Sequence, residues 1–135
     1  MSEGFNGRYV LNEQGQPMPE PDLLTWARWM ENIDARRVEY TELESGAWIS
    51  TVFLGLDHSW APFTDPLSYK PVLWETMIFE EGTQQALFQR RYVSREDALR
   101  GHWEAVEMCR QKEAAEHAEL GAIVEQIAQT EKAEE

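Results

Sequence analysis

The stretch WISTVFLGLDHSW, residues 48–60, begins like a β-strand and ends with an aspartate beside a histidine. A second carboxylate, Glu75, and a second imidazole, His102, follow later in the chain. An imidazole with a carboxylate partner can transfer protons, and two such pairs can hold a divalent metal ion. Whether Asp57 and His58 belong to such a site depends on whether folding brings the four groups together.

The hydrophobic pattern predicts an α+β fold, in which an antiparallel sheet of hairpins is packed by helices. Alternating apolar residues predict strands, and apolar residues at helical spacing predict helices. The expected order is β-hairpin, helix, β-hairpin, long loop, β-hairpin and long helix. Pro21 is expected early in the first helix, where its missing N–H does no harm. The strands that bear on the site are residues 47–56, 72–79 and 86–93.

This topology predicts a polar cluster at one edge of the sheet. If 47–56 and 72–79 are antiparallel neighbours, the end of the first lies beside the start of the second. If 86–93 pairs with 72–79, Tyr92 reaches the same edge. A helix that begins after Ser94 places His102 about 12 Å along its axis, facing the sheet. The candidate ligand-binding residues are Asp57, His58, Glu75, Thr76, Tyr92 and His102.

Several uses of this cluster are open. It is suited to binding a small polar ligand beneath the aromatic loop that carries Trp60, Phe63 and Tyr69. It is also suited to acid–base catalysis. The chain has no His-x-x-x-His, no His-x-His and no cysteine pair, so we expect no metal site. No serine stands in a nucleophile elbow, which disfavours nucleophilic catalysis.

Each of these residues also has a structural explanation. A histidine on an apolar helix face, as His102 is, is commonly a hydrogen-bonded core residue. Asp57 can accept hydrogen bonds from nearby backbone N–H groups in a turn. Glu75 can pair with Arg90 across neighbouring strands, a contact worth roughly 0.2–1 kcal/mol.

The composition limits the class of partner. Twelve Lys and Arg against 25 Asp and Glu give a net charge of −13. Such a charge opposes direct binding to nucleic acids or anionic membranes, and it suits a partner with a basic surface. The single Cys109 excludes an internal disulfide, and we find no signal peptide and no apolar run of the ~20 residues that span a bilayer. We therefore expect a cytoplasmic protein.

The C-terminal segment is expected to differ from the rest. We assign residues 1–110 to the α+β domain and 111–135 to an acidic helical extension. A single helix over 95–129 would be ~50 Å long, whereas a compact chain of this length is only ~35 Å across. The helix should therefore break near Gln111 or Gly121, or project. On a projecting helix, one apolar cluster predicts a homodimer: Leu120, Ile123, Val124 and Ile127.

Three motifs stand out in the sequence: WISTVFLGLDH, ETMIF and RYVSREDALRGHWEAV. They are similar to W-x-S-T-V-x-L-G-x-D-H, E-T-M-x-F and Y-x-x-x-E-x-A-x-x-G-H, patterns of a set of small uncharacterised proteins of tailed bacteriophages and prophages. The resemblance covers residues 8–109, and the acidic helix beyond looks like an individual extension. It implies a phage origin and an intracellular role, and it brings no activity or cofactor. It points to Asp57, His58, Glu75, Thr76, Gly101 and His102.

Two classes of function follow as expectations. The first is a phage-encoded, non-enzymatic accessory protein that binds a host component. It would inhibit a host defence by covering a basic surface or by capturing a nucleotide-like signal molecule. The alternative is a small hydrolase or metal-dependent enzyme that uses His58, His102, Asp57 and Glu75.

Overall fold

The computed structural model describes residues 7–59, 70–83 and 85–134. The elements are β1 (Tyr9–Leu11), β2 (Pro17–Pro19), α1 (Leu23–Met30), α2 (Ile33–Arg36), β3 (Arg37–Glu42), β4 (Trp48–Phe53), β5 (Trp74–Phe79), β6 (Ala86–Tyr92) and α3 (Arg95–Glu134). Strands β1 and β2 form a hairpin, and β3 to β6 form a four-stranded antiparallel sheet in sequential order. The predicted α+β fold is confirmed. The short helix α2 is an addition that the sequence pattern did not predict.

Alternation along β4 decides which face of the sheet α3 covers. Ile49, Thr51 and Phe53 are buried, whereas the residues between them are only half-buried. Successive side chains of a strand point to opposite faces, so these three share one face. Thr51 lies opposite Thr76 and Phe53 lies opposite Trp74, as the predicted pairing of β4 with β5 requires. Helix α3 contacts all four strands of this sheet.

The core between α3 and the sheet consists of two apolar clusters. The first contains Leu43, Ala47, Ile49, Ile78, Ala105 and Val106. The second contains Phe53, Leu73, Trp74 and Ala98, and Trp29 of α1 packs edge-on against Phe53 at 5.7 Å between ring centroids. His102 lies between the two clusters in sequence and is fully buried. The buried polar side chains His102, Thr51 and Thr76 therefore interrupt the apolar interface.

Helix α1 is positioned by its cap and by Gly55. The Asp22 carboxylate accepts a hydrogen bond from the Thr25 N–H at 2.9 Å, so the helix begins after Asp22. Pro21 therefore precedes the cap, and its expected place inside the helix is wrong. The Trp26 indole N–H donates to the Gly55 carbonyl at 3.0 Å, and Gly55 has a positive φ of 76°. Its missing Cβ leaves room for the Met30 thioether, so only glycine meets both demands.

Helix α3 is continuous over 40 residues, about 60 Å at 1.5 Å per residue. The predicted break near Gln111 or Gly121 is wrong, and the helix follows the other expected course, which is to project. Every described side chain from 114 to 133 is exposed. The assignment of 1–110 and 111–135 as separate parts stays a prediction, since the helix runs through that boundary. We call the exposed residues Leu120, Ile123, Val124 and Ile127 the distal stripe.

The distal stripe points in the same direction as the residues by which α3 packs on the sheet. Eighteen residues make five full turns of an α-helix at 3.6 residues per turn. Moving 18 residues along α3 from each of four sheet-facing positions leads to one residue of the stripe. His102, Ala105, Val106 and Cys109 correspond in this way to Leu120, Ile123, Val124 and Ile127. The packing face of the helix therefore continues beyond the end of the sheet without anything to cover it among the described residues.

Two glycines of α3 offer a matched test of this packing. A Cβ on Gly101 would overlap the hydroxyl and ring of Tyr92, whereas a Cβ on Gly121 would have nothing within 4 Å. We expect Gly101→Ala to lower the free energy of unfolding by about 1–3 kcal/mol through overpacking. Gly121→Ala should raise it by up to about 1 kcal/mol, because alanine favours the helix. Urea unfolding of both variants measures the difference, and an unimpaired Gly101→Ala protein would contradict this packing.

Candidate functional site

A chain of hydrogen bonds crosses the buried interface between α3 and the sheet. The His102 Nδ1 atom lies 2.8 Å from the Thr51 hydroxyl, and Nε2 lies 2.8 Å from the Thr41 hydroxyl. Thr51 is in turn 2.6 Å from the hydroxyl of Thr76. His102, Thr51 and Thr76 are all fully buried. We call these four residues the threonine–histidine chain.

The threonine–histidine chain is suited to a neutral imidazole. A neutral histidine has one N–H donor and one acceptor nitrogen, and each threonine hydroxyl can take either complementary role. Burial lowers the pKa of His102 below its ordinary value of 6.5, and the nearby Glu39 opposes that shift in part. Both ring nitrogens are therefore satisfied without a charge, as the structural explanation of His102 requires.

Tyr92 and Trp74 lie beside this chain. The Tyr92 hydroxyl packs against Gly101, and burial raises its pKa, whereas Arg90 and Thr76 oppose the rise. No hydrogen bond of Tyr92 to either neighbour has normal geometry, and the buried indole N–H of Trp74 also lacks a partner among the described residues. An unsatisfied buried polar group costs about 1–3 kcal/mol. The packing of the two rings must therefore offset the cost of their unsatisfied polar groups.

Glu75 lies on the opposite face of the sheet from His102. Its carboxylate accepts hydrogen bonds from Arg91 at 2.9 Å and from Gln89, and its side chain is 4% exposed. The predicted partner, Arg90, is wrong, because the register places Glu75 opposite Arg91. Arg90 stands opposite Thr76, one residue away and therefore on the helix side of the sheet. The sheet itself separates the Glu75 carboxylate from the imidazole.

Asp57 and His58 hold two chain segments together beyond the end of β4. The Asp57 Oδ1 atom accepts hydrogen bonds from the backbone N–H groups of Ser59 and Val72, both at 2.9 Å. The backbone N–H of His58 donates to the Val72 carbonyl at 2.9 Å. Val72 precedes Thr76 by four residues, roughly 13 Å of extended chain. Asp57 therefore acts here as a turn residue, remote from His102.

The structure thus brings together three of the six candidate residues, Thr76, Tyr92 and His102. Glu75, Asp57 and His58 lie elsewhere, and the loop aromatics Trp60, Phe63 and Tyr69 lie outside the described residues. Within 7–59, 70–83 and 85–134, no three His, Cys, Asp or Glu side chains are grouped as a metal site would need. Whether any of the six binds a ligand stays a prediction.

Thr41 and Thr51 were not among the predicted site residues, although the sequence contains a signal for Thr51. In WISTVF, Thr51 alternates with Ile49 and Phe53, so it is a polar residue on the buried face of a strand. A buried hydroxyl needs a partner, and a histidine predicted to face the same sheet can provide one. Thr41 gave a weaker signal, because in the sequence it alternates in phase with Arg37 and Glu39, a pattern typical of an exposed face.

Comparisons with protein-family models, with curated proteins and with solved structures find no match to this chain. The resemblance to phage proteins therefore stays a prediction. Among the described residues, no helix combines the length and the apolar character needed to cross a bilayer, since the long α3 is rich in charge. Any conclusion about function therefore rests on the geometry of this protein.

A groove opens where α3 leaves the sheet, a feature that no pattern in the sequence predicted. It encloses about 490 Å³, within the ~300–1,000 Å³ typical of ligand pockets. Its apolar lining consists of Ala47, Ile78, Leu87, Phe88, Met108 and Cys109. Four carboxylates and one ammonium group surround it, those of Glu80, Glu81, Glu113, Glu116 and Lys112. We call this feature the helix-root groove.

The threonine–histidine chain predicts a pH dependence of stability. Because the pKa of His102 is lower in the folded protein than its ordinary 6.5, the unfolded chain takes up a proton first as the pH falls. The contribution of neutral His102 to the free energy of unfolding is therefore complete above about pH 6.5. Below that pH the free energy of unfolding falls by up to about 1.4 kcal/mol per pH unit. Urea unfolding between pH 8 and pH 5 measures that slope.

The matched control uses the exposed histidine of the same helix. His117→Gln should leave the pH dependence unchanged, because His117 is exposed on the projecting part of α3. His102→Gln should make the curve flatter between pH 7 and pH 5, even though it lowers stability overall. Equal slopes for the His102→Gln protein and the unaltered protein would mean that His102 is not held neutral.

Proposed function

We propose that this protein is a phage-encoded, non-enzymatic accessory protein that acts in the host cytoplasm by binding a host protein with a basic surface. The observation that carries the proposal is the surface of α3, where an apolar groove and an apolar stripe are exposed amid carboxylates. Its residues 113–134 include six glutamates and one lysine. Such a surface attracts cationic partners at long range and offers apolar contact once they arrive.

The location of the imidazole and carboxylate groups supports binding over catalysis. A general acid or base must come within hydrogen-bond reach of the substrate. His102 is fully buried, and threonines occupy both of its ring nitrogens. Glu75 faces the other side of the sheet, and the Asp57 carboxylate is engaged by backbone N–H groups. An enzyme built on these groups with His58 would require them to rearrange, so it is the weaker alternative.

The proposal predicts salt-sensitive capture of a defined host protein. The immobilised protein is incubated with bacterial lysate at low ionic strength, and the retained proteins are eluted by rising salt and identified. Each candidate is then purified and titrated against this protein. We expect a basic protein whose affinity falls by about tenfold or more between 50 and 200 mM salt, because the attraction is between opposite charges.

Two variants distinguish this function from its alternatives. His58→Ala should leave the affinity for the purified partner unchanged, because His58 pairs with Val72, at the opposite end of β5 from the groove residue Ile78. If a nucleotide instead raises the melting temperature of this protein, and His58→Ala abolishes that shift, the function is capture of a nucleotide-like signal molecule at His58. A hydrolytic turnover that His58→Ala abolishes would favour the enzyme. Either of the last two results, without a salt-sensitive partner, would overturn the proposal.

We further propose that two copies associate through the distal stripe, whose side chains are 48–59% exposed. Fully burying one such side chain contributes about 1.5–3 kcal/mol, so eight half-exposed ones contribute roughly 6–12 kcal/mol. The loss of translational and rotational freedom opposes this with about 4–15 kcal/mol. The glutamates around the stripe also repel one another. The homodimer should therefore be weak and depend on concentration.

The homodimer predicts a salt dependence of opposite sign to that of partner binding. Salt screens the like charges of the two helices, so a higher salt concentration should strengthen self-association. Analytical ultracentrifugation at 50 and 500 mM salt measures the dimer fraction. Ile123→Gln should abolish the dimer, whereas Leu24→Gln, at an even more exposed site on α1, should not. A monomer at all concentrations would contradict the homodimer and leave partner binding untouched.

A further inference from the structure

The helix-root groove has an apolar interior that is accessible from outside. Leu87 of β6 and Met108 of α3 are 56% and 51% exposed, and both line the groove with Phe88. Ile78 and Ala47 lie deeper and belong to the core cluster between the sheet and the helix. An inserted apolar side chain would therefore contact the protein core directly. The volume admits a few side chains, so an occupant must place most of its mass outside.

The rim of the groove favours a positively charged occupant. Glu80 and Glu81 belong to the turn after β5, and Glu113 and Glu116 belong to α3. Lys112 lies between the two sides, with its Nζ 3.7 Å from Glu80 Oε1 and 4.0 Å from Glu116 Oε1. The four carboxylates therefore have one ammonium group among them. The rim has an excess of negative charge, and Lys112 shows how an ammonium group fits between its walls.

The same charges argue against a second copy of this chain as the occupant. A second copy could offer its distal stripe to the groove, but the helix around that stripe is itself rich in glutamate. Such an occupant would place carboxylates against the carboxylates of the rim, which costs free energy at close range. A segment with lysine or arginine around one or two apolar residues has the complementary charge. Its alkyl stems can also pack along the apolar walls.

We infer that the helix-root groove is a docking site for a cationic amphipathic helix of a partner protein. One or two apolar side chains of that helix enter the groove, and its lysines or arginines contact the rim. The inference rests on the proposed function and names both the surface that binds and the chemistry that it recognises. In this arrangement Glu81 and Glu116 select a positively charged partner, and Met108 contacts the inserted apolar side chain.

The experiment uses a synthetic leucine–lysine peptide whose leucines recur at helical spacing. Anisotropy of a fluorescent label on the peptide gives its affinity for the full chain. Cys109 lines the groove and is the single cysteine of the sequence, so its reaction rate with a small thiol reagent reports occupancy of the groove. We expect the peptide to bind, to protect Cys109, and to weaken as salt is raised.

Matched variants separate charge from apolar contact. Glu81→Gln with Glu116→Gln should weaken binding by about fivefold or more, since two rim charges are lost. Glu125→Gln with Glu131→Gln changes the net charge equally, away from the groove, and should change affinity by less than about twofold. Met108→Gln should also weaken binding by about fivefold, whereas Met18→Gln, at a comparably exposed site on β2, should not.

Control peptides define the results that would overturn the inference. A glutamate version of the peptide and a scrambled leucine–lysine version should both bind much more weakly. Equal binding of the glutamate version would refute the charge argument. Binding without protection of Cys109 would place the contact elsewhere on α3, and protection of Cys109 by raised protein concentration alone would assign the groove to a second copy. If the inference fails in one of these ways while a host protein still binds, the proposed function stands without this site.

Discussion

The contact of one neutral imidazole with two strands determines how α3 lies on the sheet. His102 reaches Thr41 on β3 and Thr51 on β4 at once, so the helix cannot slide or rotate without losing a buried hydrogen bond. Leaving a buried polar group without a partner costs about 1–3 kcal/mol, a large part of the stability of a small domain. Gly101, one residue earlier, lets Tyr92 approach the helix closely. Together these contacts fix both the rotation of α3 and its height above the sheet.

Fixing α3 at this point also determines the surface far from it. The helix is continuous over 40 residues, so its rotation at His102 sets where each later residue points. Five turns further on, the same face emerges past the edge of the sheet as the distal stripe. The helix-root groove forms where the helix separates from the hairpin of β5 and β6. The buried polar chain and the exposed apolar surface are therefore two consequences of one packing arrangement.

The sequence was sufficient for the strands and their pairing but not for the faces of individual side chains. Alternation is regular in β4, and turn signals separate the apolar runs of β5 and β6, so the order of the sheet could be predicted. The assignment of Glu75 to Arg90 failed because a shift of one residue in register moves a side chain to the opposite face. Helix α2 has four residues, too few to show a period. A break in α3 was one of two expected courses, because a compact shape was assumed. Nothing in the helix interior requires a break, since its residues are mostly good helix formers.

The helix-root groove could not be predicted, because it depends on the angle at which two elements part and not on any motif. Its charge was visible in the sequence, and that charge has two effects at once. Carboxylates around an apolar surface limit self-association and aggregation, since like charges meet whenever two copies approach. They also favour a cationic partner over other apolar surfaces, so the same glutamates provide both attraction and exclusion. Because of this repulsion, a protein of net charge −13 can expose the apolar groove and the distal stripe. On a neutral protein the same apolar surface would be an aggregation hazard.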